Sequence, residues 1–239
     1  MTTQPPTRDR IESDRDSASI TDALLFDMDG VVLEGWGTDE SVHSRALEDA
    51  LAEFGFDADL DASVRRSLER YEYTSEFERT CTTLGVDPVE FYAAKERYSA
   101  SRAIERLENG ARGTYADVRA LEALSERHTL ALVSNNYDPT VSFVVDHFGL
   151  DVFSFVRGRD LGVDGFRRRK PDPYYLEEAM QTLGVDGGIY VGDRETDLLA
   201  GKRAGLDPVF IRREHNASVD PTVAPALEVN TLEELADRL

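Results

Sequence analysis

The sequence predicts an α/β protein: a parallel sheet with helices on both faces, interrupted after its first strand by a wholly helical insert. Three observations predict it. The run Ala23, Leu24, Leu25, Phe26 is short and continuously apolar, as in a strand buried on both faces. From Asn109-Gly110 onward, strand-like apolar runs alternate with helical patterns, the mark of repeated βα units. Between the two, Asp39 to about Leu107 carries only helical patterns, some 70 residues where a connection in such folds normally takes about 2–6.

The elements follow in order. Met1–Ser19 is polar, mixed in charge and lacks an apolar h-region, so residues 1–20 are expected to be a mobile tail rather than a signal peptide. The first strand is expected to end near Leu33, and Gly35-Trp36-Gly37 looks like a hinge or a plain loop with a packed Trp. Asp39 can cap a helix through Phe54 that places Val42, Ala46, Leu47, Ala50 and Leu51 on one face. Further helices are expected over Asp61–Tyr71, Ser75–Leu84 and Pro88–Leu107, with Pro88 suited to a first turn. Beyond Asn109-Gly110, Thr114 can cap a helix through Arg127. Strands are then expected at Thr129–Val133, Val152–Val156, Gly188–Val191, Pro208–Arg212 and Leu227–Val229. The intervening helices are expected at Pro139–Phe148, Pro173–Leu183, Glu195–Ala204 and Leu232–Arg238.

The 239 residues are 41% hydrophobic, enough for a substantial core, and no apolar run approaches the roughly 18–20 residues of a membrane span. A net charge of −20 repels nucleic acid and anionic membranes, so neither is expected as a partner. Lys95, Lys170 and Lys202 are the only lysines, and such acidic, lysine-poor surfaces resemble those of salt-adapted proteins. Cys81 stands alone, so no intrachain disulfide is possible and a reducing cytoplasm is expected. Nothing in the chain specifies an oligomeric state.

Four groups of polar residues fall where strands end, the place where parallel sheets bind ligands. Asp27 and Asp29 follow the first strand, and Gly30 lets the backbone turn sharply or approach a ligand. Two like charges so close are costly unless a cation or a reaction uses them; the alternative is an ordinary Asp-Gly turn. Ser134, Asn135 and Asn136 follow the second strand, where a hydroxyl and backbone amides can hold phosphate oxygens or simply form a capping turn. Lys170 precedes a proline in Arg-Arg-Arg-Lys-Pro-Asp-Pro, a compact point charge in a chain that elsewhere uses arginine. Asp193 and Asp197 straddle a strand-to-helix junction after Gly192, as metal-binding carboxylates or as helix caps.

With these four groups in order around a helical insert, residues Ala23–Arg212 resemble the haloacid dehalogenase-like hydrolase superfamily. The match is to the subfamily I type with an α-helical cap, phosphoglycolate phosphatase-like. The resemblance rests on Asp27-Met-Asp29-Gly, Ser134, Lys170-Pro and Gly-Asp193-Arg-Glu-Thr-Asp197. It implies a Rossmann-like core at 21–34 and 108–239 and a cap at 35–107. It implies a phosphatase acting on a small phosphorylated metabolite through an aspartyl-phosphate. Asp27 is then the nucleophile and Asp29 the acid and base. Mg2+ is implied on Asp27, the Asp29 carbonyl and Asp193. Gly30, Ser134, Asn135 and Lys170 are implied around the phosphate. Asp197 is implied behind them, orienting Lys170 or a metal-bound water.

The family's Gly-Thr is here Gly30-Val31, as in several sugar-phosphate members, so a β-phosphoglucomutase-like activity is the main alternative. Dehalogenation is disfavoured by Asp29, and a phosphonatase would need Lys95 as its Schiff-base lysine. A phospho-accepting receiver domain would place its lysine last, and a non-catalytic member would be expected to lack a motif residue. Arg65, Arg66, Tyr73 and Arg79 are among the insert residues that could meet a leaving group, and the sequence does not choose among them.

Overall fold

The computed structural model describes residues 23–35, 37, 39–56 and 60–239; the expected tail at 1–20 and Trp36 of the expected hinge lie outside the described residues. Six strands form one sheet: β1 (Ala23–Phe26), β2 (Leu130–Tyr137), β3 (Phe153–Arg159), β4 (Gly188–Gly192), β5 (Asp207–Ile211) and β6 (Leu227–Val229). Their order is β3-β2-β1-β4-β5-β6 and every pairing is parallel. This is the doubly wound Rossmann order, whose direction reverses between β1 and β4.

All four β1 residues are fully buried because each face of the strand meets a different helical layer. Leu24 and Phe26 pack with α5 (Ala120–Ser125), α6 (Asp138–Phe148) and α10 (Leu232–Arg238) through Leu121, Val144 and Leu235. Ala23 and Leu25 pack with α8 (Tyr174–Leu183) and α9 (Glu195–Ala204) through Leu176, Ala179 and Ala200. At about 1.5–3 kcal/mol per fully buried Leu or Phe, this strand is a large apolar contributor for its length.

Between β1 and β2 come α1 (Glu40–Glu53), α2 (Ala62–Glu69), α3 (Ser75–Leu84) and α4 (Pro88–Glu108). Asp39, Asp61, Thr74 and Asp87 cap them, each accepting from an amide in the first turn at 2.8–3.2 Å. The helices bury Leu47, Leu51, Leu68, Phe77, Phe91 and Tyr92 together, and α7 (Val163–Arg167) adds Val163 and Phe166 to the same cluster. A fully buried ion pair joins insert to sheet. Arg159, at the end of β3, donates Nη1 to Glu96 Oε2 of α4 at 3.2 Å, and the Gly162 amide donates to the same oxygen at 2.6 Å. Among the described residues no helix is long and apolar enough to cross a membrane.

Several elements differ from expectation. β1 stops at Phe26, and Met28–Leu33 is a buried turn: the amides of Val32 and Leu33 converge on the Met28 carbonyl, and the Gly30 amide donates to Leu33 O. Apolar residues there fill the core without forming strand. Thr114 caps nothing; it bridges Leu33, while the Tyr115 amide donates to Val32 O, so the helix begins only with a 3-10 turn at Ala116–Arg119. β2 runs on through Ser134–Asn136 to Tyr137, with a register shift after Val133. The five-residue α7 is too short to show periodicity.

Candidate active site

The carboxyl ends of β1 and β4 face the point where strand order reverses, and they deliver Asp27 and Asp193 side by side. Asp27 is the first residue after β1, held there by its amide donating to Val191 O of β4. Asp193 directly follows β4. Asp197 arrives from the first turn of α9, where its Oδ2 also accepts from the Arg194 amide at 3.1 Å. One oxygen from each of Asp27, Asp193 and Asp197 lies within 4.8 Å of the others, and all three residues are buried. Gly192 makes this possible, since a Cβ there would stand 2.2 Å from Asp197 Cβ.

Lys170 is the counter-charge. Its Nζ lies 2.8 Å from Asp27 Oδ1 and 2.7 Å from Asp197 Oδ1, and donates to Tyr190 OH at 2.6 Å. Burial works against the ammonium, but Asp197 and Asp27 outweigh it and hold its pKa above the ordinary lysine value. Its backbone is clamped by Asn135, which accepts from Lys170 N at 2.7 Å and donates to Lys170 O at 3.1 Å. One ammonium among three carboxylates leaves a negative excess. Burial first, then Asp197 and Asp27, push the Asp193 pKa up to about 8. Its Oδ1 is buried with no hydrogen-bond partner. A crowded all-oxygen donor set with an unsatisfied carboxylate fits a hard divalent cation.

Asp29 faces another way. Its Oδ1 lies 2.7 Å from Arg112 Nη1, and its Oδ2 accepts from Asn136 Nδ2 at 3.0 Å. Its carboxylate is therefore outside the three-carboxylate cluster. Ser134 is buried and its Oγ accepts from the Asn136 amide at 3.3 Å, leaving the hydroxyl hydrogen to donate elsewhere.

Two of the residues expected around a phosphate make contacts within the protein. The Asn135 side chain is committed to the Lys170 backbone, so it positions that lysine. The Gly30 amide serves its own turn; the residue's φ of +80° and its missing Cβ, which would stand 2.2 Å from Asp193 Oδ2, make room for that carboxylate. The alternative reading of Asp193 as the cap of α9 does not hold, because Arg194 is the N-cap.

Above this floor opens a cleft of about 480 Å³ lined by Asp29, Lys170, Asn136, Arg169, Arg194 and, from the insert, His43 and Tyr71. None of the four insert candidates named from the sequence lines it. Arg65 pairs with Glu48, Tyr73 packs against Phe77 and Tyr92, and Arg66 and Arg79 are exposed on the insert's outside. Lys95 is buried, donating to Leu68 O at 2.8 Å and Arg70 O at 2.6 Å, and is not among the residues lining this cleft. Sequence reasoning missed Arg112, Tyr190 and His215, whose Nε2 lies 2.6 Å from Asp193 Oδ2. No motif marks them; Arg112 and His215 reach the site from distant parts of the chain, and Tyr190 reaches it from within β4, three residues before Asp193.

The family model of the haloacid dehalogenase-like hydrolases matches residues 21–205. The chain is 29% identical over 192 residues to a phosphoglycolate phosphatase of Rhodobacter capsulatus, covering 77% of this chain and 81% of that protein. It is 34% identical over 101 residues to pyrophosphatase PpaX of Halalkalibacterium halodurans, covering 41% of this chain and 45% of that protein's length. Among solved structures, CbbY from Rhodobacter sphaeroides in complex with phosphate superposes with a TM-score of 0.60 at 22% identity, covering 90% of this chain and 96% of that one. A predicted phosphoglycolate phosphatase from Haemophilus somnus superposes with a TM-score of 0.58 at 18% identity, covering 92% and 99%.

Proposed function

The chain belongs to the haloacid dehalogenase-like hydrolase family and is a hydrolase of phosphoric monoesters, and we propose that it is a Mg2+-dependent phosphatase of a small metabolite, phosphoglycolate being the first candidate, working through an aspartyl-phosphate on Asp27. The observation that carries this reading is the buried contact of Lys170 with Asp27 and Asp197 beside Asp193, at the floor of an open cleft.

In this reading residues 21–34 and 108–239 form the catalytic core, and 35–107 a cap that closes over the cleft and selects substrate through His43 and Tyr71. The Asp27 carboxylate attacks phosphorus, and the P–O bond to the leaving group breaks. Asp29, protonated, gives its proton to the departing oxygen. It then takes a proton from the water that attacks the aspartyl phosphorus, which releases inorganic phosphate and restores Asp27. Arg112 and Asn136 hold Asp29 in place for both transfers. Lys170 and the Ser134 hydroxyl grip phosphoryl oxygens as charge redistributes. A Mg2+ held by Asp27, the Asp29 carbonyl and Asp193 supplies positive charge that offsets the approach of a phosphate dianion to a carboxylate. Asp197 steadies Lys170. The single buried cysteine supports a reducing, cytoplasmic setting.

The test runs two assays in parallel: phosphate release from phosphoglycolate and other small phosphomonoesters, and glucose 1-phosphate to 6-phosphate interconversion by NMR. Phosphate release stopped by chelation supports the proposal. Isomerisation outpacing release by orders of magnitude would replace it with a phosphomutase.

A further inference from the structure

The 3-10 turn Glu214–Asn216 follows β5 and lies against Asp193 from the side opposite Asp27's strand, since β5 is the neighbour of β4. Two successive residues of the turn hold Asp193. His215 Nε2 lies 2.6 Å from its Oδ2, and Asn216 donates Nδ2 to its main-chain oxygen at 2.9 Å. Asn216 is itself fixed, donating to Ile211 O at 3.0 Å and accepting from the Arg213 amide at 2.7 Å. Gly30 closes the remaining side, because the position of its absent Cβ is 2.2 Å from Asp193 Oδ2 and 3.1 Å from His215 Cε1. The carboxylate therefore has one oxygen engaged, and the other, Oδ1, buried without a hydrogen-bond partner.

We propose that His215 is a positioning residue that commits Oδ2 of Asp193 and so presents Oδ1 to the divalent cation. The inference rests on Asp193 being a metal ligand. A carboxylate beside Asp27 and Asp197 is pushed away from them by like charge, and Arg194 Nε, 3.8 Å from Oδ1, attracts it. The imidazole N–H opposes that swing. Partners standing behind a ligand fix its orientation in this manner, and their loss typically weakens metal binding about 10–100-fold.

Mg2+ binding by titration calorimetry tests it on wild type, His215→Ala, His215→Gln and Asp193→Asn, with the metal-free melting temperature of each recorded. Gln keeps an N–H near the position of Nε2 and removes the imidazole. The expected result is a Mg2+ Kd raised about 10–100-fold by Ala and within a few-fold of wild type for Gln. At saturating Mg2+ the substrate KM of the Ala variant should match wild type. His215→Leu fills the space without a donor and carries the same expectation where Ala fails to fold. An unchanged Mg2+ Kd in folded Ala or Leu variants overturns the role of His215, as does a Gln variant as weak as Ala. A wild type that binds Mg2+ no better than Asp193→Asn overturns the metal reading itself, and this proposal with it.

Discussion

Asp27 and Asp29 are two residues apart, yet their surroundings assign them different work. Asp27 meets the Lys170 ammonium on the buried floor, whereas Asp29 turns to Arg112 and Asn136 at the cleft. Asp27→Asn should leave no measurable turnover, since an amide is a far poorer nucleophile; a covalent mark from labelled substrate on any other residue would refute it. Asp29→Asn should lower kcat about 10²–10⁴-fold while still allowing phosphate to transfer to Asp27 from substrates with good leaving groups, read by trapping the labelled enzyme. Asp193 gives a pH prediction. Its folded pKa of about 8 stands above the unfolded value, so between about pH 4 and pH 8 the metal-free folded state holds a proton that the unfolded state lacks. Metal-free stability should therefore fall as pH rises through that window. Mg2+ must displace this proton, so its stabilising effect should be larger at pH 8 than at pH 5.5. Melting curves with and without Mg2+ check both, and Asp193→Asn should lose the difference.

At the scale of elements, the insert is tied to the sheet by one fully buried charge pair. Arg159 also lies over the Tyr137 ring, 4.5 Å from its centroid, and over Tyr71 at 5.4 Å, so the guanidinium sits among groups lining the cleft. Glu96→Ala leaves that cation buried and unpaired, which should cost about 3–5 kcal/mol in urea unfolding. A loss below 1 kcal/mol would mean that water or another carboxylate replaces Glu96. The same junction brings α1 over the cleft. His43→Ala and Tyr71→Ala should raise substrate KM by up to about tenfold, the worth of a typical hydrogen bond or ring contact, while Arg65→Ala and Arg66→Ala leave it unchanged. Equal effects from both pairs would contradict the placement of the cleft.

Over the whole molecule, a net charge of −20 is self-repulsion that dilute buffer does little to screen. Ion pairs offset part of it locally, among them Arg102 with Asp49 and Arg157 with Asp160 and Glu178. The melting temperature should rise from dilute buffer to molar KCl, and a flat or falling trend would remove the salt-adapted reading.

Local chemistry made much of this protein legible in its sequence. The apolar run of β1, the cap at Asp39, and the carboxylates and lysine at strand ends are short-range signals, each set by neighbours within a turn or a strand. They were enough for the parallel sheet, the helical insert and the acidic floor. What they could not carry is the meaning of an apolar residue once packing decides it. Met28–Leu33 reads as strand because it is apolar, and it is a turn because Gly30 bends the chain toward Asp193. Tertiary structure alone decided which side chains surround the chemistry. Arg112 reaches Asp29 across 83 positions, His215 reaches Asp193 across 22, and His43 and Tyr71 come over the cleft while Arg66 and Arg79 are exposed away from it. These pairings depend on how strands are ordered and how the insert docks, and contacts between distant segments leave no periodic trace in a single chain.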